Sequence, residues 1–342
     1  MKEIVIMQCE SRIPDQRARL LVAGIWCARL SMVSFGQFGV AVANEKPAQK
    51  TETTAAGTEN RPKVPGKLLL HARRRVPAAN TSKTYKPVVV EVKWKTAETA
   101  IIICDMWTNL WCKSATQRIG ILAPKMNRVI TAARNHGVMI IHAPSSGVHH
   151  YKGTEYRTRI QAAPTVRPPV PIQRWCYLEP DREVRLPIDD SDGGCDDPGN
   201  SKYYPDFDRH EHPAIQIIGY DGISDSGEEI YNFCVQQGIK NIVMMGVHTN
   251  MCVLGRPFGI RQLVKLGFNV VLARDLTDAM YDPRDYPYVS HTRGTELVIE
   301  HIETHWCPSI PGKDLTRIIA GSADPLPEVL RNRPHEKAAT KK

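Results

Sequence analysis

Two residues with chemical capacity stand at the ends of apolar runs. "AIIICD" closes on Asp105, and "NIVMMGVHTNMC" passes through His248, Thr249 and Asn250 to Cys252. A cysteine that opens a helix meets unpaired backbone N–H groups and the positive end of the helix dipole, and both favour the thiolate. The same N–H groups suit a developing oxyanion. A carboxylate beside such a thiol can take its proton and pass it to a leaving amine. A plain packing role stands beside this chemistry, because free cysteine is among the most buried residue types. That is the reading for Cys104 and Cys234, and Asp105 equally suits a solvated loop or a helix cap.

For Asp105 and Cys252 to meet, the chain must bring two strand ends together, and its patterning does so. "AIIIC", "VMIIHA", "NIVMM" and "NVVLA" are short continuous apolar runs, as expected of parallel strands covered on both faces, and "AIQII" is a further candidate strand. Between them, "IGILAPKMNRVITAARNHG", "SGEEIYNFCVQQG", "CVLGRPFGIRQLVKLG" and "TELVIEHIETHW" carry helical spacing. Ser224 or Ser226 is placed to cap the second helix, and Gly137 and Gly238 to stop the first two. Strand and helix alternate, so the class is α/β with a mostly parallel sheet, whose functional groups gather at the carboxyl ends of the strands. The globular pattern runs over 99–307 and is interrupted over 145–213 by a Pro-, Gly-, Asp- and Tyr-rich insertion, long enough to serve as a lid or interface.

The flanks differ in composition. Arg12, Arg17, Arg19 and Arg29 precede "LSMVSFGQFGVAVAN", the order of a secretory signal cleaved after Ala43, which predicts an exported protein with 1–43 removed and no stable membrane span left. The alternative is a cytoplasmic chain. Residues 44–66 read as a polar disordered linker, 67–98 as an extension packing on the domain, and 308–342 as a Pro-rich, fraying tail. The net charge of +9 collects largely near the two ends, without a basic aromatic-laced helix, so nucleic acid is not a predicted partner. Seven of the nine cysteines follow Ala43, an odd number. In an exported chain, Cys176 and Cys195 are a candidate disulfide.

The strand-end aspartate of "ICDMW", the "GVHTNMCV" before a helix and the "VVLARDLTDA" after it resemble the isochorismatase-like cysteine hydrolases, which include the nicotinamidases. The similarity spans roughly Thr99 to Cys307, the size of one domain. It implies a three-layer Rossmann-like α/β fold with a six-stranded, mostly parallel sheet flanked by helices, a homo-oligomer and a small-molecule substrate. Carried over, Cys252 is the nucleophile and Asp105 the acid/base; the Val247–His248 peptide is cis, and the N–H groups of His248 and Cys252 form the oxyanion hole.

The chain departs from that pattern in two ways. The family's lysine lies near the end of the third strand, yet no lysine occurs between Lys202 and Lys240. Lys202, Arg209, His210, His212 and Lys113 are cations without the matching motif. After the second strand, His142, His149 and His150 lack the nicotinamidase metal spacing, and the HxH of "DRHEHP" is an ordinary exposed pattern, so no metal or cofactor is assigned. Trp107, Trp111, Thr249, Asn250 and Arg256 are the pocket candidates; Arg256 suits an anionic substrate or a carboxylate at the surface. The expected activity is hydrolysis of a small amide through a thioester. The alternatives are a silent binding or scaffold protein on the same fold and a vinyl-ether hydrolase needing no cysteine.

Overall fold

The computed structural model describes residues 61, 65–79, 84–199 and 209–319. The leader over 1–43, nearly all of the linker, Lys202 and the end of the tail lie outside the described residues. The strands are β1 (Lys67–Pro77), β2 (Tyr85–Lys95), β3 (Thr99–Cys104), β4 (Met139–Ala143), β5 (Gly222–Ile223), β6 (Asn241–Val247), β7 (Asn269–Asp278), β8 (Ser309–Ile310) and β9 (Ile318–Ile319). The helices are α1 (Lys113–Asn135), α2 (Glu155–Gln161), α3 (Gly227–Gln236), α4 (Cys252–Gly255), α5 (Ile260–Lys265) and α6 (His291–His305). None of them is long and apolar enough to cross a membrane.

Six strands pair in parallel in the order β8-β7-β6-β3-β4-β5, which is the expected sheet. The β1–β2 hairpin widens it antiparallel at the β8 edge, and β9 adds to β1. The 67–98 extension is therefore part of the sheet. So is the start of the tail, where Ser309 bridges β1 to β7 and Ile310 is fully buried; these partners, invisible in a Pro-rich stretch, overrule the expected fraying.

Alternation along β3 explains its unbroken apolar run. Ile102 and Cys104 enter one core with α3, α4, α5 and α6, while Ile101 and Ile103 enter the other with α1 and β1. Ser226, of the two candidates, caps α3 by accepting from the Glu229 N–H. Two expected elements differ. "AIQII" forms no strand, because the Gln216 and Ile218 N–H groups donate to the Asn127 and Asp221 side chains, and the third parallel strand is the short β5 just beyond it. The helix after Cys252 breaks into α4 and α5. Pro257 disfavours helical backbone at the residue before it, and Arg256 is accordingly extended, with φ −60° and ψ 158°.

Candidate active site

Asp105 and His248 emerge from neighbouring strands, since Cys104 pairs with Gly246 across β3 and β6. That pairing is close: a Cβ on Gly246, at φ 108°, would lie 2.1 Å from the Cys104 carbonyl oxygen, so glycine is required there. Asp105 is fully buried and itself left-handed, at φ 48°, a conformation aspartate tolerates better than most residues. Its Oδ1 accepts the Ser145 N–H at 2.8 Å, and its Oδ2 accepts from Arg256 Nε and Nη2, both at 3.0 Å. Cys252, 9% exposed, stands close enough to feel the charges of both Asp105 and Arg256. Carboxylate, thiol and guanidinium thus form one cluster.

Arg256 is the cation that the sequence did not place. It follows the cysteine instead of preceding it, and the break at Pro257 turns it back onto Asp105. The substitutes considered from sequence serve elsewhere: His210 stacks on His150 with ring centroids 3.5 Å apart, His212 Nδ1 accepts from the Ala214 N–H, and Arg209 lies 5.8 Å from the Trp107 ring. Lys113 opens α1, where Asp197 accepts its N–H. The HxH histidines are therefore engaged separately.

The thiol differs from expectation. Burial raises the Cys252 pKa above that of an ordinary thiol and the Asp105 charge raises it further, while Arg256 offsets only part of this. The four-residue α4 is too short for a sizeable dipole to compensate. Cys252 is thus held as the thiol at neutral pH. Since only the thiolate is alkylated, its labelling should be slower at pH 7 than that of a free cysteine. It should keep rising, about tenfold per pH unit, past the ~8.5 where a free thiol levels off. Peptide-resolved labelling across pH checks this; an early plateau contradicts it.

The peptide Val247–His248 is cis, as the resemblance implied. Among the described residues the backbone N–H groups of His248 and Cys252 donate to no acceptor. The His248 ring is buried and its pKa is lowered to about 4 by that burial, leaving a neutral imidazole.

The pocket candidates divide. Thr249 and Asn250 turn into the scaffold: Thr249 Oγ1 meets Thr277 Oγ1 at 2.7 Å, and Asn250 binds both polar backbone atoms of Met280. Trp111 stands over Gly193 and lines a separate cavity of about 480 Å³ with Asp192, Asp282 and Asp285. Trp107 pairs through a β-bridge with Glu211, near the end of the insertion. Trp175, which sequence reasoning passed over, lies against Gly255 with the Arg256 guanidinium 5.6 Å from its ring. Glu211 was also missed. It is buried, and burial together with the Asp105 charge raises its pKa despite His142 3.6 Å away. A tryptophan and an acid in a long insertion beside a strand-end site were the only signals available.

The predicted Cys176–Cys195 disulfide is corrected: Cys195 is bonded to Cys112, and Cys176 is a free, buried thiol donating to Gln262. The fold brings the start of α1, not Cys176, against the 189–197 segment.

No family model and no curated protein matches this chain. Solved structures do. A cysteine hydrolase from Pseudomonas syringae pv. phaseolicola 1448A is 18% identical over 66% of this chain and 94% of its own, with a TM-score of 0.40. An isochorismatase family protein from Burkholderia thailandensis is 15% identical over 64% of this chain and 93% of its own, with a TM-score of 0.37. N-carbamoylsarcosine amidase from Thermoplasma acidophilum is 12% identical over 55% and 87%, with a TM-score of 0.32. The likeness is to isochorismatase-family and cysteine-hydrolase structures. The architecture of this chain rests on its own six parallel strands and the helices on both faces.

Proposed function

We propose that the chain is a cysteine-dependent hydrolase acting on the C–N bond of a small, uncharged amide. The observation that carries this reading is the convergence of Asp105, Cys252 and Arg256 at the carboxyl ends of adjacent strands. The sequence resemblance around Cys252 supports it independently.

The reaction follows from the protonation states. Cys252 is a thiol at rest, so Asp105 takes its proton as sulfur attacks the carbonyl carbon. The C–S bond forms and the carbonyl π electrons move to oxygen, where the N–H groups of His248 and Cys252 receive the oxyanion. Collapse restores the carbonyl and expels the amine, which takes the proton from Asp105. Water then attacks the thioester, giving its proton to Asp105, and the thiolate leaves and is reprotonated. Arg256 holds Asp105 in position throughout, through the two bonds it donates to Oδ2. This is the service that a triad lysine gives in the resembled family.

Substrate charge follows from the same pair. Arg256 is committed to Asp105, so it offers no free cation to an anionic substrate. At pH 9, Cys252 should react with neutral iodoacetamide at least about tenfold faster, relative to a free thiol, than with anionic iodoacetate, the scale of one like-charge interaction at short range. A panel of neutral, anionic and cationic primary amides, followed by ammonia release, should show the same order. Preference for the anionic members overturns the substrate class, and no release from any member overturns the amidase reading. The basic, apolar leader, and a disulfide among the described residues, support export.

A further inference from the structure

The segment Asp189–Asp197 carries five aspartates in nine residues and joins two distant parts of the molecule. At one end Cys195 is bonded to Cys112, the residue preceding α1. Asp197 accepts the Lys113 and Ser114 N–H groups, capping α1 where Cys112 itself makes no side-chain cap, and Asp196 accepts two bonds from Arg118. At the other end Asp190 Oδ2 accepts the Asn250 amide at 2.7 Å. Asn250 stands two residues before Cys252 and holds both polar backbone atoms of Met280. Gly194, at φ 66°, lies so close that a Cβ there would be 2.4 Å from the Met280 carbonyl oxygen. The segment therefore presses on the turn Thr249–Met251 from outside.

Such a segment has little reason to stay in place by itself. Five like charges repel one another, and the Asp189 and Asp192 side chains make only local turns, accepting from Ser191 and Gly194, while the Asp189 N–H donates to the Tyr286 carbonyl and Arg284 to the Asp197 carbonyl. The disulfide joins residues 83 apart in sequence and removes much of the freedom the segment would otherwise have.

We propose that Asp190 is a positioning residue for the nucleophile turn, acting through Asn250, and that the Cys112–Cys195 disulfide makes this positioning redox-dependent. The inference rests on Cys252 being the nucleophile, but the clamp itself does not. A dithiol opens the switch: one of its thiolates attacks one sulfur of the pair, forming a mixed disulfide and releasing the other cysteine. The second thiol then closes the dithiol into its own disulfide. The protein gains two electrons and two protons, and the dithiol loses them. The turn is held in the oxidised protein and loosened in the reduced one.

Hydrogen exchange on the full chain tests this, with the peptide spanning Thr249–Val253 compared with peptides from β3 and β4. Treatment with dithiothreitol, and separately the Asp190→Ala substitution, should each speed exchange in the turn about tenfold, the scale of one hydrogen bond to a charged group, leaving β3 and β4 unchanged. Asp190→Asn, whose amide oxygen still accepts from Asn250, should keep wild-type exchange. The Cys112→Ser/Cys195→Ser protein should match the reduced wild type, and iodoacetamide should label its Cys252 faster than in the oxidised protein. Unchanged exchange in the turn on both reduction and Asp190→Ala overturns the proposal. So does an increase spread equally over β3 and β4, which marks general destabilisation. If exchange responds as expected while Cys252 resists iodoacetamide in every form, the clamp stands and the nucleophile assignment falls.

Discussion

Cys252→Ala is expected to fold as the wild type does and to lose at least about 10^4-fold in turnover of whichever amide the panel yields. The structural cost is small. The thiol sits in the core beside Val253 and Leu254, and losing one sulfur atom leaves a cavity worth only about 1 kcal/mol. The chemical cost is large because the reaction proposed above runs through the Cys252 sulfur. Cys104, its neighbour in the core, is fully buried with its pKa pushed well up by that burial, so it cannot substitute. Melting curves and steady-state rates on the same preparation separate the two effects. Retained turnover would rule out thioester chemistry. A wild-type protein inert to the whole panel would favour a binding role for the fold.

The second large effect is expected at Arg256. Removing the guanidinium leaves Asp105 fully buried, with only the Ser145 N–H at its oxygens. Breaking a buried pair from one side costs about 3–5 kcal/mol, and the lower end applies because Arg256 is itself 24% exposed. Arg256→Ala should therefore melt several degrees earlier and lose turnover, while Arg256→Lys should recover part of both. A lysine restores the charge, but not two donors aimed at one oxygen. Arg256→Gln separates the contributions, keeping a donor while removing the charge. If Arg256→Ala keeps the stability and rate of the wild type, the carboxylate is held by something else and the cluster is not a functional unit.

Much of the framework was legible because burial on both faces leaves a local trace. The runs at Ala100–Cys104 and Ile242–Met245 are continuous and apolar since each strand feeds two cores, and no partner need be known to read that. Asp105 and Cys252 were legible for the same reason, as reactive residues placed where such runs end. "AIQII" misled because an apolar run need not form a ladder: Ile215 is its one buried residue, Ile218 is 43% exposed, and the backbone N–H groups of Gln216 and Ile218 go to side chains. The helix after Cys252 misled because its spacing outweighed Pro257 in the reading. The proline was the better guide.

By itself, then, the sequence determined the α/β class, the strands that carry the site and the two residues that face each other at their ends, all consequences of local patterning and backbone preference. The tertiary structure alone decided three things. Arg256 closes on a carboxylate 151 residues away, Cys195 joins Cys112 in place of Cys176, and Cys252 rests as a thiol. The first two depend on which distant segments the sheet order brings together. The third depends on how far water is excluded from one sulfur atom and which charges stand beside it. Neither adjacency nor dielectric environment is written in residue spacing, so both had to await the folded chain.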